Sequence, residues 1–369
     1  MSCKNNMIIK ILFFIDSLAC GGKERQLLEI LKVLSKDKSF NIRLILMSKK
    51  IFFSEVKQFN IKIDYLVRDH KIDLSIFSGL YRICKSFGPE IIHTWDNVTS
   101  FYALPVAKLL RIKMVNGSIR HGIRLKKLSH YLRMISLHLS QYVLANSKAG
   151  LAANKIRNGF VLYNGIAPKF TNEFSIQEKL TKRGKLLGNT EKKQIIVSVA
   201  NFVPYKDYFT VFEALKNLKK EGFKFYYLII GDGPLKDKIQ QKVNDLELAD
   251  RIKLLGIVEN VEDYLAVSDI FLHSSKGEGC SNAILEAMFS GLPIIATRVG
   301  GTEEITTEDN SVLFEYKNSE ELGLILKSLL PDRELQQKMG KCSKEIAQNR
   351  FTITRMLANY KEIINQIIY

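Results

Sequence analysis

The stretch from Ile270 to Ala296 constrains the fold more than any other. Ile270 to Leu272 is an apolar run that reads as the end of a buried strand. A glycine-flanked loop, Lys276 to Cys280, follows it. A helix then starts near Ser281, with Ser281 or Asn282 placed to cap its free N–H groups. Ala283, Ile284, Ala287 and Met288 give that helix an apolar face at helical spacing. Gly291-Leu292-Pro293 stops it, and Ile294 opens the next strand. Such a loop presents backbone N–H groups at the positive end of a helix, where a phosphate binds well. Glu278 and Glu286 frame it. Neither suits a phosphate, but both can accept hydrogen bonds from sugar hydroxyls.

The same alternation runs through the chain. Strands are predicted at Ile8 to Ile15, Ile42 to Met47, Ile61 to Leu66, Ile91 to His93, Met114-Val115 and Tyr142 to Ala145. Amphipathic segments such as Glu24 to Leu34 and Leu74 to Ser86 lie between them. Thr171 to Glu191 is polar and poorly periodic, and reads as an interdomain linker. The pattern restarts with strands at Gln194 to Val199, Phe225 to Ile230, Ile252 to Leu255 and Ile270 to His273, and with helices at Lys236 to Glu247 and Val261 to Val267. Alternating β and α elements predict mostly parallel sheets covered on both faces, with ligands at the carboxyl ends of the strands. With 369 residues, two domains are expected: 1–188 and 189–350, followed by a last helix over 351–369.

Candidate site residues stand just past strand ends. Gly21-Gly22 follows the first strand and lets backbone approach a ligand closely. His93, Trp95, Asp96 and Asn97 follow the fourth strand, and Arg120 and His121 the fifth. In the second half, Asn201 and Lys206 follow a strand, and Gly231 opens the turn Gly231-Asp232-Gly233-Pro234. A lone histidine is more often structural than functional, which leaves both readings open for His93 and His121. The ammonium of Lys206 can neutralise a diphosphate as a point charge.

Glu278 and Glu286, seven residues between them, resemble the E-x7-E signature of the retaining glycosyltransferases of family four. The spacing alone is common on helices. The whole string "EGCSNAILEAMFSGLPIIAT", with Gly300-Gly301 and Glu303-Glu304 after it, is far more specific, and "GGKER", "ANSKAG" and "VLYNGIAPKF" resemble that family's punctuation. The resemblance implies a GT-B fold, an α/β architecture of two Rossmann-like domains whose parallel sheets face a central cleft. It implies transfer of a sugar from a nucleotide-sugar to a hydroxyl acceptor with retention at the anomeric carbon. It places Glu278 by the donor sugar and Glu286 on the ribose, with Gly21, Gly22, Lys206, Gly231, Gly279, Cys280, Ser281 and Asn282 around the donor. It sets His93, Trp95, Asp96 and Arg120 on the acceptor side, and makes Glu278, Lys206 and His121 the catalytic candidates. Where the family usually carries an arginine on the pyrophosphate, this chain has Asn201. Lys206 and backbone N–H groups would then carry that charge, aided by Arg25, Arg120 or Arg124. No metal or other cofactor is expected, since no D-x-D motif with plausible ligands follows.

Charge narrows the partner. Residues 1–170 carry a net +18 and residues 171–369 a net −1, which together make the formal +17 of the chain. No acidic residue occurs between Asp96 and Glu173. Such asymmetry calls for a polyanionic neighbour. An anionic membrane face carrying a lipid-linked glycan acceptor is expected, with Leu125 to Met134 as the contact. No helix-turn-helix, zinc or aromatic RNA-binding signature points to nucleic acid. The five cysteines show no C-x-x-C spacing, which speaks against a zinc site and for a reducing compartment. Met7 to Ile15 is short, holds Lys10 and reads as a strand, not a signal peptide. No run reaches the ~18 uncharged apolar residues of a membrane span. The expectation is a cytoplasmic enzyme, peripheral on the inner membrane face. The alternatives are a GT-B-fold sugar epimerase or phosphorylase, and a basic membrane- or nucleic-acid-binding module without catalysis.

Overall fold

The computed structural model describes residues 8–19, 21–70, 72–121, 128–171, 175–187 and 193–369. Its contacts divide the chain into two compact units, Met1–Asn164 with Ile353–Tyr369, and Gly165–Thr352.

In the first unit the order is β1 (Ile9–Ile15), α1 (Gly22–Leu34), β2 (Phe40–Leu46), β3 (Lys62–Tyr65), α2 (Ser75–Phe87), β4 (Ile91–Thr94), α3 (Asn97–Leu110), β5 (Lys113–Ile119), α4 (Leu128–Leu139), β6 (Tyr142–Ala145), α5 (Lys148–Ala153) and β7 (Phe160–Val161). The second unit holds α6 (Ile176–Leu187), β8 (Gln194–Val199), α7 (Tyr208–Lys220), β9 (Phe225–Ile230), α8 (Lys236–Asp245), β10 (Ile252–Gly256), α9 (Val261–Ala266), β11 (Ile270–His273), α10 (Asn282–Phe289), β12 (Ile294–Thr297), α11 (Thr302–Ile305), β13 (Ser311–Phe314), α12 (Ser319–Leu329) and α13 (Arg333–Arg350). The last helix, α14 (Ile353–Ile368), returns to the first unit.

The sheets run β3-β2-β1-β4-β5-β6-β7 and β10-β9-β8-β11-β12-β13, with every pairing between these strands parallel. Each order reverses beside its first strand, between β1 and β4 and between β8 and β11. That switch point is where an open α/β sheet leaves a crevice at its carboxyl edge. Both faces of the first sheet are covered, so its strands are near-continuous apolar runs. Ile11, Phe13 and Ile15 pack with Leu27 and Leu31 of α1 and Tyr360 and Ile364 of α14. Leu12 and Phe14 point the other way, onto Leu80 of α2 and Tyr102 of α3.

Two expectations are corrected here. The segment read as a linker holds the helix α6, two of whose charged side chains are ion-pair partners. Lys182 pairs with Asp263 of α9, and Arg183 with the buried Asp269. Periodicity misses such a helix because its inward positions are charged. The division between units accordingly falls after Asn164, well before the expected boundary at 188/189. The sequence reading also passes over α3. Asp96 caps it, accepting from the N–H groups of Val98 and Thr99, while Pro105 inside it interrupts the sequence signal.

Candidate functional site

In the second unit, β8 and β11 end side by side and their loops are tied together. The N–H of Asp207 donates to Ser274 O (3.0 Å), and that of Lys276 to Tyr205 O (2.8 Å). Ser275 N–H donates to Thr297 Oγ1 (3.0 Å), whose hydroxyl donates back to Ser275 O (2.8 Å). This lattice fixes three side chains at one point. The Lys206 ammonium donates to Glu278 Oε1, and His273 Nε2 lies 2.9 Å from Lys206 Nζ and 3.0 Å from the same carboxylate oxygen. His273 is 2 % and Glu278 7 % exposed.

The protonation states follow. Burial favours the neutral carboxyl, but the charge of Lys206 and the hydrogen bond from His273 outweigh it, and Glu278 is held well below the carboxylate range. Burial and the Lys206 charge push His273 below its ordinary value. The imidazole is therefore neutral, and its Nε2 either donates to Glu278 or accepts from Lys206. The cluster is one buried lysine–carboxylate pair with a neutral histidine wedged against it. The sequence reading placed Lys206 and Glu278 and gave His273 no role. Its position at the carboxyl end of β11, on the same edge as Lys206, was the available signal.

The other donor-side candidates of the second unit stand just past the carboxyl ends of its strands and on α10. Ser281 is the N-cap residue of α10, but its side chain makes no capping hydrogen bond, contrary to the expectation. Glu286 lies two turns on and is buried. Cys280 is buried. Gly279 and Gly301 meet backbone to backbone, since a Cβ on Gly301 would fall 2.3 Å from Gly279 O. Gly231 (φ 150°) passes so close to Ala200 O that a Cβ would lie 2.1 Å from it. These glycines close the floor of the loops. Asn201 is exposed.

In the first unit, His93, Trp95 and Arg120 come together at the ends of β4 and β5. His93 is fully buried, its Nδ1 is 2.9 Å from Tyr360 Oη, and the two rings stack at 5.6 Å and 9°. Trp95 is buried and donates from Nε1 to Lys23 O (2.8 Å), while the Arg120 guanidinium lies 4.0 Å above its ring. Asp96, besides capping α3, accepts from Asp16 N–H at 2.8 Å. His121 is half-buried and precedes residues 122–127, so Arg124 lies outside the described residues.

Gly21 opens α1 with no side-chain cap. The Glu24 side chain folds back over this end of the helix: its Oε2 lies 2.3 Å from where a Gly21 Cβ would stand. Burial raises the Glu24 pKa against the opposing charge of Lys23. Sequence reasoning missed Glu24, although a glutamate at the third position of a helix is a capping signal. Among the described residues, no group of three or more His, Cys, Asp and Glu side chains is placed to hold a metal ion.

Two parallel six- and seven-stranded Rossmann-like units, with polar clusters at their switch points, define the GT-B class. The structure of the Anabaena protein HepE in complex with UDP has this fold, with a TM-score of 0.84 over 97% of this chain and 100% of that one, at 20% identity. Residues 181–346, within the second unit, match the family model described as glycosyl transferases group 1. It is 32% identical over 190 residues to N-acetyl-alpha-D-glucosaminyl L-malate synthase of Bacillus anthracis, covering 51% of this chain and 50% of the relative. A Campylobacter jejuni relative, N-acetylgalactosamine-N,N'-diacetylbacillosaminyl-diphospho-undecaprenol 4-alpha-N-acetylgalactosaminyltransferase, matches at 24% over 353 residues, covering 89% of this chain and 92% of its own length. The matches with several other curated relatives span about half of their length.

Proposed function

We propose that the protein transfers a sugar, with retention, from a nucleotide-sugar to a hydroxyl of a lipid-linked glycan in surface-polysaccharide synthesis. The observation that carries this reading is the buried Lys206–Glu278 pair, set at a switch point beside the amino end of α10. When the bond from the anomeric carbon to the diphosphate breaks, positive charge develops on the sugar and negative charge on the leaving group. Lys206 and the first N–H groups of α10 supply fixed positive charge to the diphosphate. The ionised Glu278 accepts from a sugar hydroxyl and faces the cationic ring. Glu286 accepts from the ribose. The acceptor oxygen bonds to the anomeric carbon on the face the diphosphate leaves, and its proton passes to a departing phosphate oxygen. His121 remains a candidate for steadying that exchange.

The lipid-linked acceptor is suggested by the Campylobacter relative and by an Escherichia coli relative named for transfer to a diphosphoundecaprenol-linked sugar. The +18 charge of residues 1–170 suits a peripheral position on an anionic membrane, at about 1 kcal/mol for each Lys or Arg near the surface. Among the described residues no helix is long and apolar enough to cross a membrane. Of the expected contact at Leu125 to Met134, the first three residues lie outside the described residues and the rest falls on α4.

Incubation with a labelled nucleotide-sugar and a lipid extract of bacterial membranes tests the proposal. Label should enter the organic-extractable lipid fraction, and its recovery only as free sugar or unchanged donor would reject it. Transfer should survive EDTA, because Lys206 supplies the cation; complete loss restored by Mg²⁺ would contradict that. Glu286→Ala should weaken nucleotide binding by roughly tenfold, the cost of about one lost hydrogen bond to a charged acceptor. Unchanged affinity by calorimetry would remove Glu286 from the ribose site.

A further inference from the structure

At the amino end of the first sheet, away from His93, Trp95 and Arg120, a cavity of about 280 Å³ opens between α3, α4 and the starts of β5 and β6. Leu104, Ala107, Ile112, Met114 and Leu139 make its apolar wall, and Lys108 and Arg111 stand at its edge. None of its lining residues is acidic. The surface beside it carries large apolar side chains in water: Leu109 is 72 %, Ile135 54 % and Leu139 49 % exposed. Ile135 and Leu139 are one turn apart on α4 and form a row along it. Lys108 and Arg111 are both exposed and enter none of the ion pairs among the described residues.

An apolar slot edged by two cations fits an amphiphile with an anionic head. We propose that this groove seats an anionic phospholipid, its phosphate on Lys108 and Arg111 and its acyl chain against Leu104, Ile112 and Leu139. Leu109 and Ile135 then enter the headgroup layer beside it. A second copy of the chain is disfavoured, because two such basic surfaces repel. Nucleic acid is disfavoured because the cavity presents no aromatic platform for a base. The inference rests on the membrane reading above and gives it a location in the described part of the molecule.

Co-sedimentation with phosphatidylcholine vesicles, with and without phosphatidylglycerol, tests it. Wild-type protein should bind only the anionic vesicles and be released by salt. Lys108→Glu with Arg111→Glu should lower partitioning by at least about tenfold, since each cation is one surface contact. Leu109→Gln with Leu139→Gln, which leaves the charge unchanged, should also lower it, most clearly at raised salt. Both double variants should keep the wild-type melting temperature and the wild-type UDP affinity. Wild-type binding that neither variant reduces overturns the groove while sparing the membrane reading. Loss in the charge variant alone overturns it too, leaving only a diffuse basic surface. No vesicle binding at all rejects both. A concentration-dependent dimer that the same variants abolish would assign the face to a second copy instead.

Discussion

Changing Glu278 to glutamine is expected to cut sugar transfer by about 10²- to 10³-fold, the usual cost of one fixed electrostatic group at a reacting centre. Nucleotide affinity should move far less, because the proposed role sets the carboxylate beside the sugar and not the nucleotide. The substitution also strands a cation. Lys206 and Glu278 keep only 10 % and 9 % of their side-chain surface in water, so the amide leaves a nearly buried ammonium without its counter-charge. Breaking such a pair costs about 3–5 kcal/mol. Activity must therefore be compared at a temperature where both proteins are folded. The pH dependence separates the two effects. The carboxyl of Glu278 is held below its ordinary 4.5 in the folded chain, so its contribution to stability is complete above that value. It is lost as the pH falls from there towards the folded-state value. Wild type should thus lose stability in acid more steeply than Glu278→Gln. Normal turnover in the variant, or parallel acid profiles, would refute the assignment.

Asp269→Ala is expected to lower the melting temperature of the second unit by roughly 10 °C. Asp269 Oδ2 accepts from Arg183 of α6 and from Ile195 N–H (2.7 Å), and Oδ1 accepts from Arg333 of α13 (3.1 Å). Arg183 and Asp269 keep 6 % and 5 % of their side-chain surface, whereas Arg333 keeps 53 %. Most of the cost therefore comes from the stranded Arg183, about 3–5 kcal/mol. For a unit of this size each kcal/mol is worth about 2–4 °C. Calorimetry decides it: Arg333→Ala should shift the transition little, and a shift of similar size in both variants would contradict the argument. The nucleotide should still bind Asp269→Ala at low temperature, because the network lies at the amino ends of β8 and β11, opposite the proposed site.

These two clusters show what the sequence discloses and what it hides. The strands β8, β9 and β11 are legible because a doubly covered sheet needs unbroken apolar runs such as Phe225 to Ile230. Lys206 and Glu278 are legible as candidates because parallel strands bring their following loops to one edge. The part played by His273 is not, since its lysine partner is 67 residues earlier. Nor is the pairing of His93 with Tyr360, which spans 267 residues and ties β4 to the last helix. The helix α6 is hidden because its inward face carries Lys182 and Arg183, whose partners Asp263 and Asp269 are some eighty residues away. At α10 the chain departs from its local signal: Ser281 stands where a capping hydroxyl belongs but makes no cap. At α1 the reverse holds, where Gly21 gives no side-chain cap and the Glu24 carboxylate folds back over the helix end.

The most direct test of the donor-site assignment is saturation-transfer NMR of the protein against UDP-, GDP-, ADP- and CMP-sugars. One nucleotide series should receive saturation at both its ribose and its sugar protons. Glu286→Ala should remove the ribose signal, and Glu278→Gln should weaken the sugar signal while sparing the ribose. Saturation of no nucleotide-sugar, or the same pattern in wild type and both variants, would contradict a donor site built on Lys206, Glu278 and Glu286.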